Sequence, residues 1–345
     1  MHTCTWAPTV FRGPAVVSAG TSEHTAGATP TGSALTGLVR GHVERLEQLG
    51  ISHLLIAQRW WGSGQEMEGS SLDCFAMTAW IAAVSTHLNL VTAVHPGFTQ
   101  PAVVAKWGAT LDQLTQGRWS INLTSGWNLR EFSMYGVPSL AHDERYDRTA
   151  EFAHILRAAW RHTEVTFSGR YYQVEGLRLE PRPTGPLTVF QGGQSDAALA
   201  LAARHSDWMF LNGGAPDKIA GIIRRARAAA ATEGRTLRFA LYAAPLCRPT
   251  DAEAWAEIDA RLARIDPALA ARRRESVSGA QGMWSGADPL GPLDTNEGYA
   301  SRLIGSPETV LERIAAFRAM GVDMLHLDLR DPLFVEAVLP EVLRL

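Results

Sequence analysis

A (β/α)8 TIM barrel with insertions is the fold this sequence predicts. Three observations carry that expectation. Short apolar, β-branched runs alternate with helix-period segments eight times along the chain. A length of 345 residues suits one large barrel domain spanning 1–345 as well as two ordinary domains. The open, doubly wound alternative lacks its fingerprint, because Gly62-Ser-Gly64-Gln-Glu-Met67 has no third glycine and follows no clean strand-to-helix turn.

In chain order, a poorly defined first strand is expected near Ala15–Ser18. Residues 18–36, rich in Ser, Thr, Gly and Ala, read as a mobile loop. Apolar residues at helical spacing predict a helix from Leu38 to Leu49, closed by Gly50. Ser52–Ala57 is the second strand, delivering Gln58 and Arg59 to the following loop. A helix over Leu72–Val84 leads to the strand Leu88–Val94, which ends at His95-Pro96-Gly97. Pro101 opens the next helix, where its missing N–H costs nothing. Arg118–Leu123 is the fourth strand, and Arg145–Trp160 is helical. A hairpin over Phe167–Val174 precedes the strand Leu187–Gln191. Further strands are expected at Trp208–Leu211, Leu237–Leu246 and Met324–Leu329, with helices at Asp196–Arg204, Pro216–Thr232, Asp251–Ile265 and Pro307–Met320. Residues 272–300 read as an irregular insertion, a candidate lid.

Composition excludes several functions. A formal charge of -3 offers no basic stripe for nucleic acid. No apolar run reaches membrane-spanning length and the first residues lack a signal-peptide pattern, so a cytoplasmic protein is expected. Cys4, Cys74 and Cys247 lack the spacing of a disulfide framework or a zinc site. Lys106 and Lys218 are the only lysines, both in helical contexts, and no Gly-Lys-Ser/Thr loop exists. His142-Asp143-Glu144 diverges over consecutive residues, and His326 and Asp328 supply only two ligands on one strand face, so no metal is expected.

Two segments carry chemistry. After the fourth strand, Thr124-Ser125-Gly126-Trp127-Asn128 is a small polar loop, placed where barrel enzymes build their sites. After the fifth, Gln191-Gly192-Gly193-Gln194-Ser195-Asp196 combines glycines that admit close backbone approach with a serine placed to cap a helix whose N–H groups face an anion. Asn122 sits inside its strand and needs a partner for its amide. His95 ends a strand where a catalytic group belongs.

Asn-Leu-Thr-Ser-Gly-Trp-Asn with Glu131 nine residues after Asn122, then Glu-Arg-Tyr, then Gly-Gly-Gln-Ser-Asp, together resemble the luciferase-like flavin-dependent monooxygenases. The alkanesulfonate and pyrimidine branches are the nearest in pattern, and the resemblance covers about residues 38–345. It implies a bacterial-luciferase-like barrel that uses FMN as FMNH2, with O2 as co-substrate and a separate NAD(P)H:flavin reductase. It also implies a homodimer or homotetramer. The implied cofactor contacts are Gln58, Arg59, Ala93, Asn122, Glu131, Arg145, Tyr146, Gly193, Gln194 and Ser195, with Asn122 and His95 as catalytic candidates. Trp208, Met209, Asn212, Tyr242 and Trp284 are the substrate-pocket candidates. The chain departs from the sulfonate branch where Asn212, Tyr242 and Ala244 replace a tryptophan, an arginine and a histidine. It departs from the pyrimidine branch where Ala93 replaces a threonine near the flavin N5. The implied substrate is therefore an organosulfur compound, a heterocycle or a biosynthetic intermediate. An F420-dependent dehydrogenase and a non-catalytic flavin-binding subunit are the alternative functions on the same barrel.

Overall fold

The computed structural model describes residues 1–12, 29–60, 68–277, 279–283, 288–294 and 296–345. Its centre is a closed barrel of eight parallel strands. They are β1 His2–Trp6, β2 His53–Ile56, β3 Asn89–Val94, β4 Trp119–Leu123, β5 Val189–Gly192, β6 Trp208–Leu211, β7 Arg238–Ala243 and β8 Met324–Leu327. Each pairs with the next in the chain, and β8 pairs with β1 through registers such as Cys4↔His326.

Parallel strands wrapped by helices are buried on both faces, so they read as nearly continuous apolar runs. Alternation still divides the residues into two layers. Leu55, Val91, Ala93, Phe190, Phe210 and Met324 fill the barrel interior, with Trp6 packed against them. Leu54, Leu90, Val189, Met209, Leu241 and Leu325 face the surrounding helices. Thr92 also faces outward, where its Oγ1 accepts the Trp119 indole N–H at 3.1 Å and meets Thr78 Oγ1 at 2.8 Å.

The first strand lies at His2–Trp6 rather than near Ala15–Ser18, which falls outside the described residues. Its sequence, HTCTW, contains no aliphatic side chain, and its threonines are satisfied in other ways. Thr5 Oγ1 donates to the Leu327 carbonyl at 2.8 Å, and Thr3 Oγ1 accepts the Ser52 N–H at 3.2 Å.

Helix α1 (Gly32–Gln48) begins before the expected Leu38, so residues 32–36 are helical rather than loop. Its first turns are mostly exposed Ser, Ala, Thr and Gly, and no apolar stripe forms until Val39. Residues 18–28 of that loop lie outside the described residues. Helices α2 (Cys74–Val84), α3 (Pro101–Thr115), α4 (Leu129–Met134), α5 (His142–Arg161), α6 (Asp196–His205) and α7 (Pro216–Thr232) follow. The hairpin pairs Val165–Ser168 with Gln173–Leu177.

The long strand expected over Leu237–Leu246 stops at Ala243, and Leu246–Cys247 instead pairs with Ile304–Gly305 outside the barrel. The 272–300 stretch is more regular than expected. Helix α9 (Pro267–Ser276) runs into it, after α8 (Asp251–Leu262), and two short 3-10 turns, Gly291–Leu293 and Gly298–Ser301, lie further on. Leu290, Leu293 and Tyr299 share a small separate core with Ala254 and Ile258 of α8. Helix α10 (Pro307–Met320) and the closing turns to Arg344 complete the chain.

Candidate active site

An open cleft lies at the C-terminal end of the barrel. Its lining comes from the ends of β1 to β8 and the loops beyond them, as barrel geometry requires. Ten of the residues singled out by sequence meet there: Gln58, Arg59, Ala93, His95, Asn122, Arg145, Tyr146, Gly193, Asn212 and Tyr242.

One corner joins β5, α5 and α6. Ser195 caps α6, accepting the Ala198 N–H at 3.2 Å, and its side chain lies beside the Tyr146 phenol. Burial holds that phenol above its usual pKa, against the opposing pull of Ser195 and Arg145. Gly193 has φ +132°, and a Cβ there would sit 2.8 Å from the Tyr146 hydroxyl oxygen. Glycine at this position thus leaves both the backbone and the phenol where they are. Arg145 donates to the carbonyls of Leu140 at 3.0 Å and Gly279 at 2.7 Å, while its Nε has no partner. The second bond ties the 279–283 segment over the cleft, where Gly279, Ala280, Gln281 and Met283 complete the lining.

The inner wall comes from β2, β3 and β4. Asn122 pairs in register with Ala93 and Phe190, so its side chain enters the interior near the strand's C-terminal end. Its Oδ1 is buried without a partner, as are Gln58 Nε2 and Thr124 Oγ1. The His95 backbone N–H donates to Gln58 Oε1. Burial, with like charge from Arg59 and Arg148, pushes the His95 imidazole down to about 3. A neutral ring with an unpartnered Nδ1 results.

Five of the expected residues lie outside the cleft lining, Ser195 among them as the buried cap behind Gly193. Glu131 does not line the cleft; it is buried beneath it, accepting the Trp60 N–H at 3.3 Å and lying 3.4 Å from the Arg59 guanidinium. Arg59 in turn stacks 4.7 Å from the Trp127 ring centre. Gln194 turns away to donate to the Asn212 carbonyl at 3.2 Å. Met209 faces the helices because it is out of phase with Phe210. Trp208 does point inward, but from the strand's first residue, so it lines a separate cavity at the opposite end with His2, His53 and Arg238. Trp284 lies outside the described residues.

Sequence reasoning missed Trp6, Phe210 and His326 as parts of the site, although all three line it. Trp6 was hidden with the first strand. Phe210 is legible from alternation, since it must face opposite to Met209. His326 is legible as the residue sharing a face with Asp328. Among the described residues, no group of three His, Cys, Asp or Glu side chains could hold a metal ion.

The cleft combines an aromatic and aliphatic interior with buried polar atoms that have no protein partner. Comparison with known proteins agrees in kind. The model of the luciferase-like monooxygenase family matches residues 18–324. The FMNH2-dependent dimethylsulfone monooxygenase of Pseudomonas fluorescens (strain Pf0-1) is 36% identical over 294 residues, 81% of this chain and 80% of that protein. Its Pseudomonas putida counterpart is 35% identical over 276 residues, 76% of each chain. A long-chain alkane monooxygenase shares the fold with a TM-score of 0.78 at 18% identity, over 100% of this chain and 91% of that one. On its fold, its motifs and this extended likeness, the chain belongs to the luciferase-like monooxygenase family.

Proposed function

We infer that the chain is an FMNH2-dependent monooxygenase of a two-component system, acting with O2 on a small organosulfur substrate. The observation that carries this reading is the set of unpartnered buried polar atoms around one cleft, Gln58 Nε2, Asn122 Oδ1, Thr124 Oγ1 and Arg145 Nε, beside the glycine-opened start of α6. Buried polar atoms are normally paired, and a flavin with its ribityl chain and phosphate has complementary groups for these. The residues fit the cofactor. Ser195, Tyr146, Arg145 and the α6 N-terminus would hold its phosphate. Gln58 and Asn122 would hold the ring edge, and Ala93 leaves room beside it.

Bound reduced flavin supplies the activation of O2. The protein's part is to orient the ring, to keep water away and to seat the substrate. The aromatic and aliphatic lining (Trp6, Leu55, Phe210, Tyr242) makes a low-dielectric interior. His95, held neutral, cannot act as an acid at working pH, but it can accept or donate one hydrogen bond beside the ring. Glu131 acts through Arg59 as a positioning residue. No dinucleotide fingerprint is present, so a separate NAD(P)H:flavin reductase supplies the reduced cofactor. Such supply suits a cytoplasmic setting.

The outward face of α2 and α3 fits a second copy of this chain. Ala76, Ala79 and Ala83 are exposed on α2, beside Val103 (65% exposed) and Leu114 (73%) on α3. Small residues on one helix and larger apolar ones on the other make a self-complementary surface. Val103→Asp with Leu114→Asp should convert the oligomer to monomer in light scattering; an unaltered mass would exclude this face.

Anaerobic titration with FMNH2, with oxidised FMN and F420 in parallel, tests the cofactor assignment. Preferential FMNH2 binding, followed by substrate-dependent O2 consumption, is expected. Binding of F420 alone would move the chain to dehydrogenase chemistry. FMNH2 binding without turnover of any organosulfur compound would leave a flavin-binding subunit.

A further inference from the structure

The inner end of the cleft is floored by rings around one histidine. His326 lies 4.4 Å from Trp6, 5.2 Å from Tyr242 and 5.6 Å from Phe210, centre to centre. All four line the cleft, with Asn212 beside them, and His326 is only 2% exposed. Three polar atoms here have no protein partner: His326 Nε2, Trp6 Nε1 and Asn212 Nδ2. An indole and an amide nitrogen can only donate, and a neutral imidazole always carries one N–H. Burial alone pushes His326 down to about 3, so the ring stays neutral at working pH.

The charges around this floor do not favour an anion. None of these five lining side chains is cationic. Of the arginines that line the cleft, Arg145 stands at the other corner, beside Tyr146, with its Nε turned to the flavin phosphate in the reading above, and Arg59 lies against Glu131. From behind the floor, Asp294 and Asp328 raise the Tyr242 phenol further above its usual range, after burial, while Arg330 opposes them and is bonded to Asp328 at 2.7 Å. An entering sulfonate would lose its hydration and meet no free cation among these residues. An uncharged group with acceptor oxygens and no donors would satisfy the orphaned N–H groups without that cost.

We propose that His326, flanked by Trp6 and Asn212, is the specificity-determining donor that selects an uncharged sulfonyl or sulfinyl substrate over the corresponding sulfonate anion. This assignment rests on the flavin-monooxygenase reading and adds the substrate's charge state and the residue that reads it. The seated oxygen accepts from the imidazole, and the substrate's carbon groups pack against Trp6, Phe210 and Tyr242.

The test is calorimetric binding to the full chain loaded with oxidised FMN, which permits no turnover, using dimethyl sulfone and methanesulfonate as probes. Wild type should bind the sulfone at least tenfold more tightly than the sulfonate. His326→Leu should weaken the sulfone about tenfold, the scale of one lost buried hydrogen bond, with FMN affinity unchanged. His326→Gln, which keeps a donor, should recover part of that loss. Trp6→Phe removes a donor while keeping a ring, and it decides the matter if His326→Leu does not fold. Equal sulfone binding by wild type and the folded variants, or a preference for methanesulfonate, overturns the assignment while leaving the flavin reading intact. A wild-type chain that fails to take up FMN overturns both.

Discussion

The Tyr146 phenol, on α5, lies beside the side chain of Ser195, the cap of α6. The two residues belong to motifs far apart in sequence, and the fold brings them together at one corner of the cleft. Tyr146→Phe should weaken FMN binding about tenfold with little change in melting temperature, because only the hydroxyl is lost. Ser195→Ala should weaken FMN similarly and also cost about 1 kcal/mol of stability through the lost cap. Fluorescence titration with FMN and a thermal melt separate the two effects.

Gly193→Ala should be destabilising by about 1–3 kcal/mol, because φ +132° is strained for any side chain. The new methyl would also displace the Tyr146 hydroxyl, so FMN affinity should fall with stability. Unchanged FMN affinity in a folded variant would mean that Tyr146 does not contact the cofactor.

Glu131→Ala should cost about 3 kcal/mol, since it removes a carboxylate buried against Arg59 and leaves that guanidinium only 10% exposed. Glu131→Gln keeps the shape and should cost less. If Glu131 only positions Arg59, Glu131→Gln should change substrate or FMN affinity without altering the pH profile.

Asp294 governs part of the pH dependence of stability. Burial raises its carboxyl to about 6, against the pull of backbone N–H bonds from Gly298, Asn296 and Tyr299. A folded-state value above the unfolded one means the folded chain holds the proton longer. This contribution is therefore full below about pH 4 and is lost as pH rises through about 6, a swing of about 3 kcal/mol at most. Asp294→Asn should abolish that component, so the difference in melting temperature between wild type and variant should shift against wild type between pH 4 and 6. A constant difference would refute it.

Much of the barrel was legible because parallel strands buried on both faces write long apolar runs, and seven of the eight lie where those runs predict. Many of the cleft-lining residues were legible for a different reason. Gly193, with its positive φ, and the Asn122 amide inside a strand are residue types those positions do not otherwise need, while Ser195 is what the start of α6 calls for as its cap. Glu131 and Gln194 share those motifs, yet they point to Arg59 and to the Asn212 carbonyl, because neighbours in a motif can face different directions.

By itself the sequence determined the strand–helix alternation, the family resemblance and the two motifs at the ends of β4 and β5, since local spacing and turn chemistry carry that information. Only the tertiary structure decided what lies at the end of the cleft. Trp6, Phe210, Tyr242 and His326 come from four strands spread along the whole chain, and closure of β8 on β1 brings the first and last of them together. Which side of a strand a residue faces follows from alternation, but its depth follows from register. Register therefore left Trp208 at the bottom of the barrel and Phe210, two residues on, in the cleft.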